Sequence, residues 1–215
     1  TETIELPSKG LLYPEDSELA KGTVEMKYMT AREEDILTNQ SYIQKGTVLD
    51  KLMKSLIISK INYDELLIGD KNAIMVAARV LGYGKDYKFN YDGEEQVVDL
   101  SLLENKELNE DLFKSKTNDF SFTLPHSGNE VTFKLLTHKD EQSITRELEG
   151  LKKINKDASP ELTTRLKYLI TSVNGERDKK DVRDFIDNYL LARDSRALRE
   201  YVKEIQPDVD LTFFP

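Results

Sequence analysis

The chain of 215 residues has no cysteine, no tryptophan and only two histidines. The absence of cysteine excludes a disulfide framework, a thiolate zinc site and a cysteine nucleophile. No apolar run approaches the roughly 20 residues that a membrane-spanning helix requires. Basic residues are the minority, since 31 lysines and arginines face 40 acidic residues and leave a net charge of −9. Such a surface repels phosphate backbones, so the composition disfavours nucleic acid as a partner, and nothing indicates a membrane partner.

Residues suited to catalysis are equally scarce. His126 lies in a predicted turn and His138 in the first turn of a predicted helix, so we expect both on the solvated surface. Neither a zinc-hydrolase histidine motif nor a serine nucleophile elbow occurs. The sequence predicts no catalytic residue, no metal site, no cofactor and no enzymatic activity. A magnesium-dependent enzyme that uses clustered carboxylates stays a minor alternative.

Hydrophobic periodicity predicts an α+β fold in which helix predominates. We expect two β-hairpins in the middle of the chain, inserted between helical halves that pack together. The predicted order is an extended N-terminal arm (1–22), a strand and helical region (23–85), a β-hairpin subdomain (86–136), a C-terminal helical bundle (137–206) and an apolar tail (207–215).

Local signals define several of these elements. Asp92 and Gly93 between two alternating runs predict a hairpin with a type I′ turn. Apolar residues at spacings of three and four predict one helix over 160–173, and Gly175 would end it.

Polar residues mark the expected starts of three other helices. Thr30 and Glu33 have the spacing of a capping box. Asp70 and Asp194 each precede a helical pattern, so we expect each of them to cap its helix.

The arm and the tail supply candidate partner-binding residues. Prolines and glycines interrupt residues 1–22, which is typical of an arm or loop. Leu11, Leu12 and Tyr13 must then rest on something, either their own domain or a partner. The tail of Leu211, Phe213, Phe214 and Pro215 is apolar and ends abruptly, which indicates either a docked strand or a longer native chain. We predict that Phe213, Phe214 and the three arm residues contact a partner.

A third candidate surface is a basic ridge of Arg193, Arg196 and Arg199. Their spacing places them on one face of a predicted helix. Two interpretations stay open. The ridge is either a surface paired with Asp194 and Glu200, or an interface with an acidic partner. A nucleic-acid-associated regulator that binds through the ridge is the alternative function.

Several segments, in their order and spacing, resemble the T-even-type baseplate protein family of contractile-tailed bacteriophages. They are residues 5–10 (ELPSKG) with Tyr13-Pro14, 29–35 (MTAREED), 67–72 (LIGDKN), 79–84 (RVLGYG), 135–138 (LLTH), 191–198 (LARDSRAL) and 205–210 (IQPDVD).

The resemblance covers nearly the whole chain and implies a non-enzymatic tail component or an assembly chaperone of the baseplate hub. Its partners would be other baseplate or tail hub proteins, with homo-oligomerisation left open. It would act in the host cytoplasm during assembly and, as a permanent subunit, in the virion baseplate. Relatives often carry zinc-ribbon cysteine pairs in the hairpin, whereas residues 90–96 read NYDGEEQ here, so no zinc is carried over.

Overall fold

The computed structural model describes residues 1–157 and 160–212. Within them the chain is α+β and helix-rich, which confirms the predicted fold class. The helices are α1 (Ala31–Leu37), α2 (Gln40–Lys45), α3 (Val48–Leu56), α4 (Ile68–Tyr83), α5 (His138–Ile154), α6 (Glu161–Leu169), α7 (Lys179–Asn188) and α8 (Ala192–Ile205). The strands are β1 (Glu2–Glu5), β2 (Thr23–Met26), β3 (Asp86–Tyr91), β4 (Glu94–Asp99), β5 (Phe120–Thr123), β6 (Glu130–Phe133) and β7 (Ile170–Val173).

The chain divides into two compact units. The first comprises Thr1–Tyr63, Gly69–Lys116 and the described residues from Pro207 onward, and the second comprises Asp64–Ile68 and Thr117–Gln206. The two hairpins therefore lie in different units, and residues 86–136 do not form the predicted subdomain. Strand pairing explains this difference, because β5 and β6 take β7 as a third strand whereas β3 and β4 form a sheet of their own.

Residues 1–22 are folded into the first unit and do not extend as an arm. β1 pairs antiparallel with β2, and the Leu6 N–H donates to the carbonyl oxygen of Gly22 at 2.9 Å. Gly10 has a φ of 76°, and a Cβ there would lie 2.4 Å from the carbonyl oxygen of Ala20. The glycines that indicated a loose arm are thus required by a positive φ and by a close backbone approach.

The core of the first unit is formed by β2, α3, α4 and the N-terminal segment. Val24 and Met26 alternate with half-exposed residues along β2, as expected for a strand with one buried face. The buried apolar side chains of this unit include Leu6, Leu12, Leu19, Val24, Met26, Leu52, Met53, Leu56, Ile74 and Phe113.

The β3–β4 hairpin confirms its sequence signal. Asp92 and Gly93 have φ angles of 51° and 82°, so both central residues of the turn are left-handed, as a type I′ turn requires. The register places Tyr91 opposite Glu94 and Asp86 opposite Asp99.

In the second unit α6 and α7 pack against β7 of the sheet β5–β6–β7, and α5 packs on α6. Phe120 and Phe133 stack with ring centroids 5.5 Å apart, and Tyr201 of α8 stacks on Phe122 at 5.0 Å. The helix predicted over 160–173 ends at Leu169, where the chain turns into strand β7. The backbone of β7 pairs with β6 instead of extending the helix. The β-branched side chains of Ile170 and Val173 favour this strand conformation.

Candidate protein-interaction surface

A buried carboxylate fixes the N-terminal segment in the first unit. Asp70, in the first turn of α4, is fully buried. Its Oδ1 accepts a hydrogen bond from the Ser8 N–H at 3.0 Å, and its Oδ2 accepts from the Ser8 hydroxyl at 2.6 Å and from the Tyr13 hydroxyl at 2.5 Å. Asp70 does not act as the predicted helix cap, because its oxygens bind a segment about 60 residues earlier in the chain.

Burial raises the pKa of Asp70 above its ordinary value of 3.8, although the hydrogen bonds from Ser8 and Tyr13 oppose the rise. The three donors satisfy the oxygens of this carboxylate, whose burial without hydrogen bonds would be costly. This cluster is therefore a structural anchor of the N-terminal segment.

The anchor decides where three predicted partner-binding residues lie. Leu12 and Tyr13 are 6% and 5% exposed and belong to the core, and Leu11 is half-buried. The prediction that these side chains are held out for a partner is corrected for Leu12 and Tyr13, because Tyr13 bonds Asp70 inside the unit. The sequence left open whether these residues rest on their own domain or on a partner. The structure shows that their own domain holds Leu12 and Tyr13.

A second buried carboxylate, Glu33, joins α1, α3 and the end of β2. The predicted capping box is present, since Thr30 and Glu33 bond each other's backbone. Glu33 also forms an ion pair with Lys27 and accepts from the Ser55 hydroxyl at 2.9 Å. Burial acts to raise the pKa of Glu33, but the bonds from Lys27, Thr30 and Ser55 outweigh it and hold that pKa well below its ordinary value.

A third buried carboxylate, Asp194, organises the β5–β6 turn in the second unit. Its oxygens accept from the backbone N–H groups of His126 and Ser127 at 2.8 and 3.1 Å. Burial acts to raise its pKa, but these amide bonds outweigh burial and lower it. Asp194 lies within the first turn of α8, where Leu191 is the N-cap residue, so the predicted capping role is wrong.

The arginine ridge is exposed in the second unit. Arg193, Arg196 and Arg199 all lie on the solvent side of α8. Within residues 1–157 and 160–212, no acidic side chain forms an ion pair with any of them. Asp194 is bound to the β5–β6 turn instead, so the interpretation of a surface paired with Asp194 is not what the structure shows.

The remaining predicted positions have mixed outcomes. Phe213 and Phe214 lie outside the described residues. His126 is exposed, as expected, whereas His138 is 2% exposed and therefore buried. The bridge between Leu67 and Thr137 carries His138 inward, and its N–H donates to the carbonyl oxygen of Leu66 at 2.8 Å.

The first unit also has a surface groove that sequence reasoning missed. It has a volume of about 1630 Å³ and is bounded by β1, by one face of α4 and by residues 100–111, with Val209 at one side. Ala73, Val76, Ala77 and Val80 of α4 form its floor, together with Leu103. No local motif marks this groove, because its walls come from segments that are far apart in the sequence.

The rim of the groove is acidic. Six carboxylates line it, from Glu2, Glu5, Glu104, Glu107, Glu110 and Asp111, against three lysines at positions 9, 21 and 106. Two of these lysines are already paired, since Lys9 Nζ lies 2.8 Å from a carboxylate oxygen of Glu110 and Lys21 Nζ lies 2.6 Å from one of Glu18. An apolar floor with an acidic rim suits a polypeptide that carries both apolar and basic side chains.

The β3–β4 hairpin adds an aromatic surface to the same unit. Tyr87, Phe89 and Tyr91 alternate along β3 and therefore share one face. Tyr87 and Tyr91 are 46% and 50% exposed, and the rings of Tyr87 and Phe89 stack at 5.9 Å. Aromatic side chains exposed in this way are typical of protein interfaces.

Within the described part of the chain, no group of three or more His, Asp or Glu side chains is placed to hold a metal ion. Among the same residues, none of the helices has the length and apolarity needed to cross a membrane. Comparison of the chain with protein-family models, with curated proteins and with solved structures found no match.

Proposed function

We propose that this protein acts through protein–protein contacts, as a component or an assembly chaperone of the baseplate hub of a contractile-tailed bacteriophage. The groove of the first unit supports the contact function most directly, because it combines an open apolar floor with an acidic rim. The phage assignment is supported by the ordered sequence segments that resemble the baseplate protein family.

A non-enzymatic role agrees with the way the buried acids are used. Asp70, Glu33 and Asp194 are the carboxylates that burial would single out as catalytic candidates. Each of them is instead bound by donors from a neighbouring segment, and so acts as a structural anchor. We therefore propose contact surfaces as the functional parts of the molecule.

The proposal is tested by quantitative mass spectrometry of purified phage particles that encode this chain and of unfinished hubs from infected cells. A small fixed copy number in the particle would support a structural subunit. Presence in unfinished hubs combined with absence from the particle would support an assembly chaperone that acts in the host cytoplasm. Absence from both would refute the proposed function.

The exposed arginine ridge favours a second candidate, a regulator that binds nucleic acid. If Arg193, Arg196 and Arg199 each neutralise one phosphate, the logarithm of the binding constant should fall with the logarithm of salt concentration with a slope of roughly −2.7. A duplex-binding titration across salt measures this slope. Replacing the three arginines with glutamine should abolish it, whereas replacing Lys152 and Lys153 should not, and no binding at low salt would refute this candidate.

A further inference from the structure

One edge of the β1–β2 sheet in the first unit is open. The Leu6 N–H bond to Gly22 continues the β1–β2 ladder, so the backbone groups of even-numbered residues in β1 point toward β2. In an antiparallel pair the groups of the intervening residues point the other way. The N–H and C=O groups of Thr3 and Glu5 therefore face away from β2.

The opposite edge of the sheet is already used. On β2 the outward carbonyl of Glu25 accepts from the Ile58 N–H at 2.8 Å, and the Glu25 N–H donates to the Ser59 hydroxyl at 2.9 Å. Within the part of the chain that the structure describes, β1 pairs with β2 alone. The sheet can therefore grow only on the β1 side.

The open edge lies along the groove. All four residues of β1 line it, and Asn105 on the facing segment reaches the Glu5 carbonyl oxygen at 3.5 Å. That long contact leaves the Thr3 N–H, the Thr3 carbonyl and the Glu5 N–H for another strand. A strand added here would place alternate side chains over the apolar floor and direct the others toward the acidic rim.

We propose that the groove binds an extended segment of a partner protein as a third strand on β1, and that this segment alternates apolar with basic side chains. Main-chain hydrogen bonds to Thr3 and Glu5 would hold the segment, as in other cases of strand addition to an open sheet edge. The excess of carboxylates on the rim selects the basic side chains. The inference deepens the proposed function and rests on it, because the natural occupant would then belong to a hub protein.

The proposal is tested with the full chain, labelled with ¹⁵N, and a synthetic nine-residue peptide of alternating lysine and valine. We expect peptide-dependent NMR shifts at the amides of residues 2–5 and along the groove. A glutamate–valine peptide should not bind, and N-methylation of alternate peptide bonds should abolish binding. Raising the salt from 50 to 300 mM should weaken binding several-fold, because the rim charges are exposed.

A matched pair of variants isolates the strand edge. Thr3→Pro removes the outward N–H, and proline is tolerated on an edge strand where the N–H faces solvent. Thr3→Val removes the same hydroxyl, which bonds Glu25, but keeps the N–H. We expect Thr3→Pro to weaken peptide binding at least tenfold and Thr3→Val to leave it within twofold, with unchanged circular dichroism in both.

A second variant keeps the test decisive if Thr3→Pro fails to fold. Glu104→Lys combined with Glu107→Lys reverses the charge of the rim facing β1 and should weaken binding at least fivefold. Any of three outcomes would overturn the proposal. They are an unchanged peptide affinity in this variant, NMR shifts confined to surfaces other than the groove, and no NMR shifts at millimolar peptide. Hub partners found by mass spectrometry without edge binding would refute the strand edge alone, whereas edge binding without any hub partner would refute the phage assignment alone.

Discussion

Replacing Asp70 with alanine tests whether the N-terminal segment is part of the folded unit. The substitution leaves the Ser8 N–H, the Ser8 hydroxyl and the Tyr13 hydroxyl without their acceptor in a buried site. At about 1–1.5 kcal/mol for each lost hydrogen bond, the free energy of unfolding should fall by roughly 3–5 kcal/mol. That is a large share of the 5–15 kcal/mol typical of a folded domain.

Urea unfolding followed by circular dichroism at pH 7 measures this loss. Asp35→Ala is the matched control, since Asp35 is exposed on α1 and its removal should change the free energy by less than about 0.5 kcal/mol. Trypsin gives a local readout, because cleavage after Lys9 should accelerate in Asp70→Ala and not in the control. A loss below about 1 kcal/mol with unchanged cleavage would refute the anchor, since it would mean that residues 1–14 are held by other contacts.

The pH dependence of stability provides a second check on the same residue. Because the pKa of Asp70 is raised in the folded state, the part of its stabilisation that depends on the bound proton is fully present below its ordinary pKa of 3.8 and is lost as pH rises through the higher folded value. Asp70→Asn has no proton to lose and should remove this part of the pH profile. It should also cost less than Asp70→Ala at pH 7, because the amide keeps one acceptor oxygen.

Three further predictions concern other anchors and two glycines. Because the pKa of Glu33 is lowered in the folded state, its stabilisation is present above its ordinary pKa of 4.5 and is lost as pH falls. Glu33→Gln should therefore flatten the acid side of the curve of unfolding free energy against pH, and an unchanged curve would contradict this. Asp194→Ala should lower the free energy of unfolding by about 1–3 kcal/mol, measured by thermal melting, and an unaltered melting temperature would contradict it. Gly69→Ala should lower the free energy of unfolding by about 3 kcal/mol, because a Cβ at residue 69 would lie 1.7 Å from the Pro207 carbonyl oxygen. Gly150→Ala has open space around it and should raise the free energy of unfolding by up to about 1 kcal/mol in the same urea assay. Equal effects of the two substitutions would refute the close contact at Gly69.

Signals within a few residues of one another predicted the local structure well. Asp92 and Gly93 specify a turn by their own backbone preferences, and the β3–β4 hairpin forms with these two residues between its strands, as predicted. The α6–β7 junction failed because helical spacing continues past Leu169, while the strand is stabilised by pairing with β6, some 40 residues away. Long-range pairing of this kind leaves no local pattern.

The candidate surfaces show the same limit. Asp70 has the sequence context of a cap, and only its bonds to Ser8 and Tyr13 reveal that it holds the N-terminal segment. The arginine ridge was predicted correctly as an exposed face because its three members belong to one helix. The groove could not be predicted, since β1, α4 and residues 100–111 meet only in the folded unit.

The segment after Gln206 completes the first unit, and this fixes which of the two units is completed first during synthesis. Val209 bridges to Asn105, and the Lys106 N–H donates to the Asp208 carbonyl at 2.8 Å. Chains emerge from the ribosome N-terminus first, at about 5–20 residues per second. The second unit therefore has all of its residues before the first unit does, although the first unit contains the start of the chain. Because Val209 lines the groove, a nascent or prematurely terminated chain that stops before this residue lacks part of the groove wall.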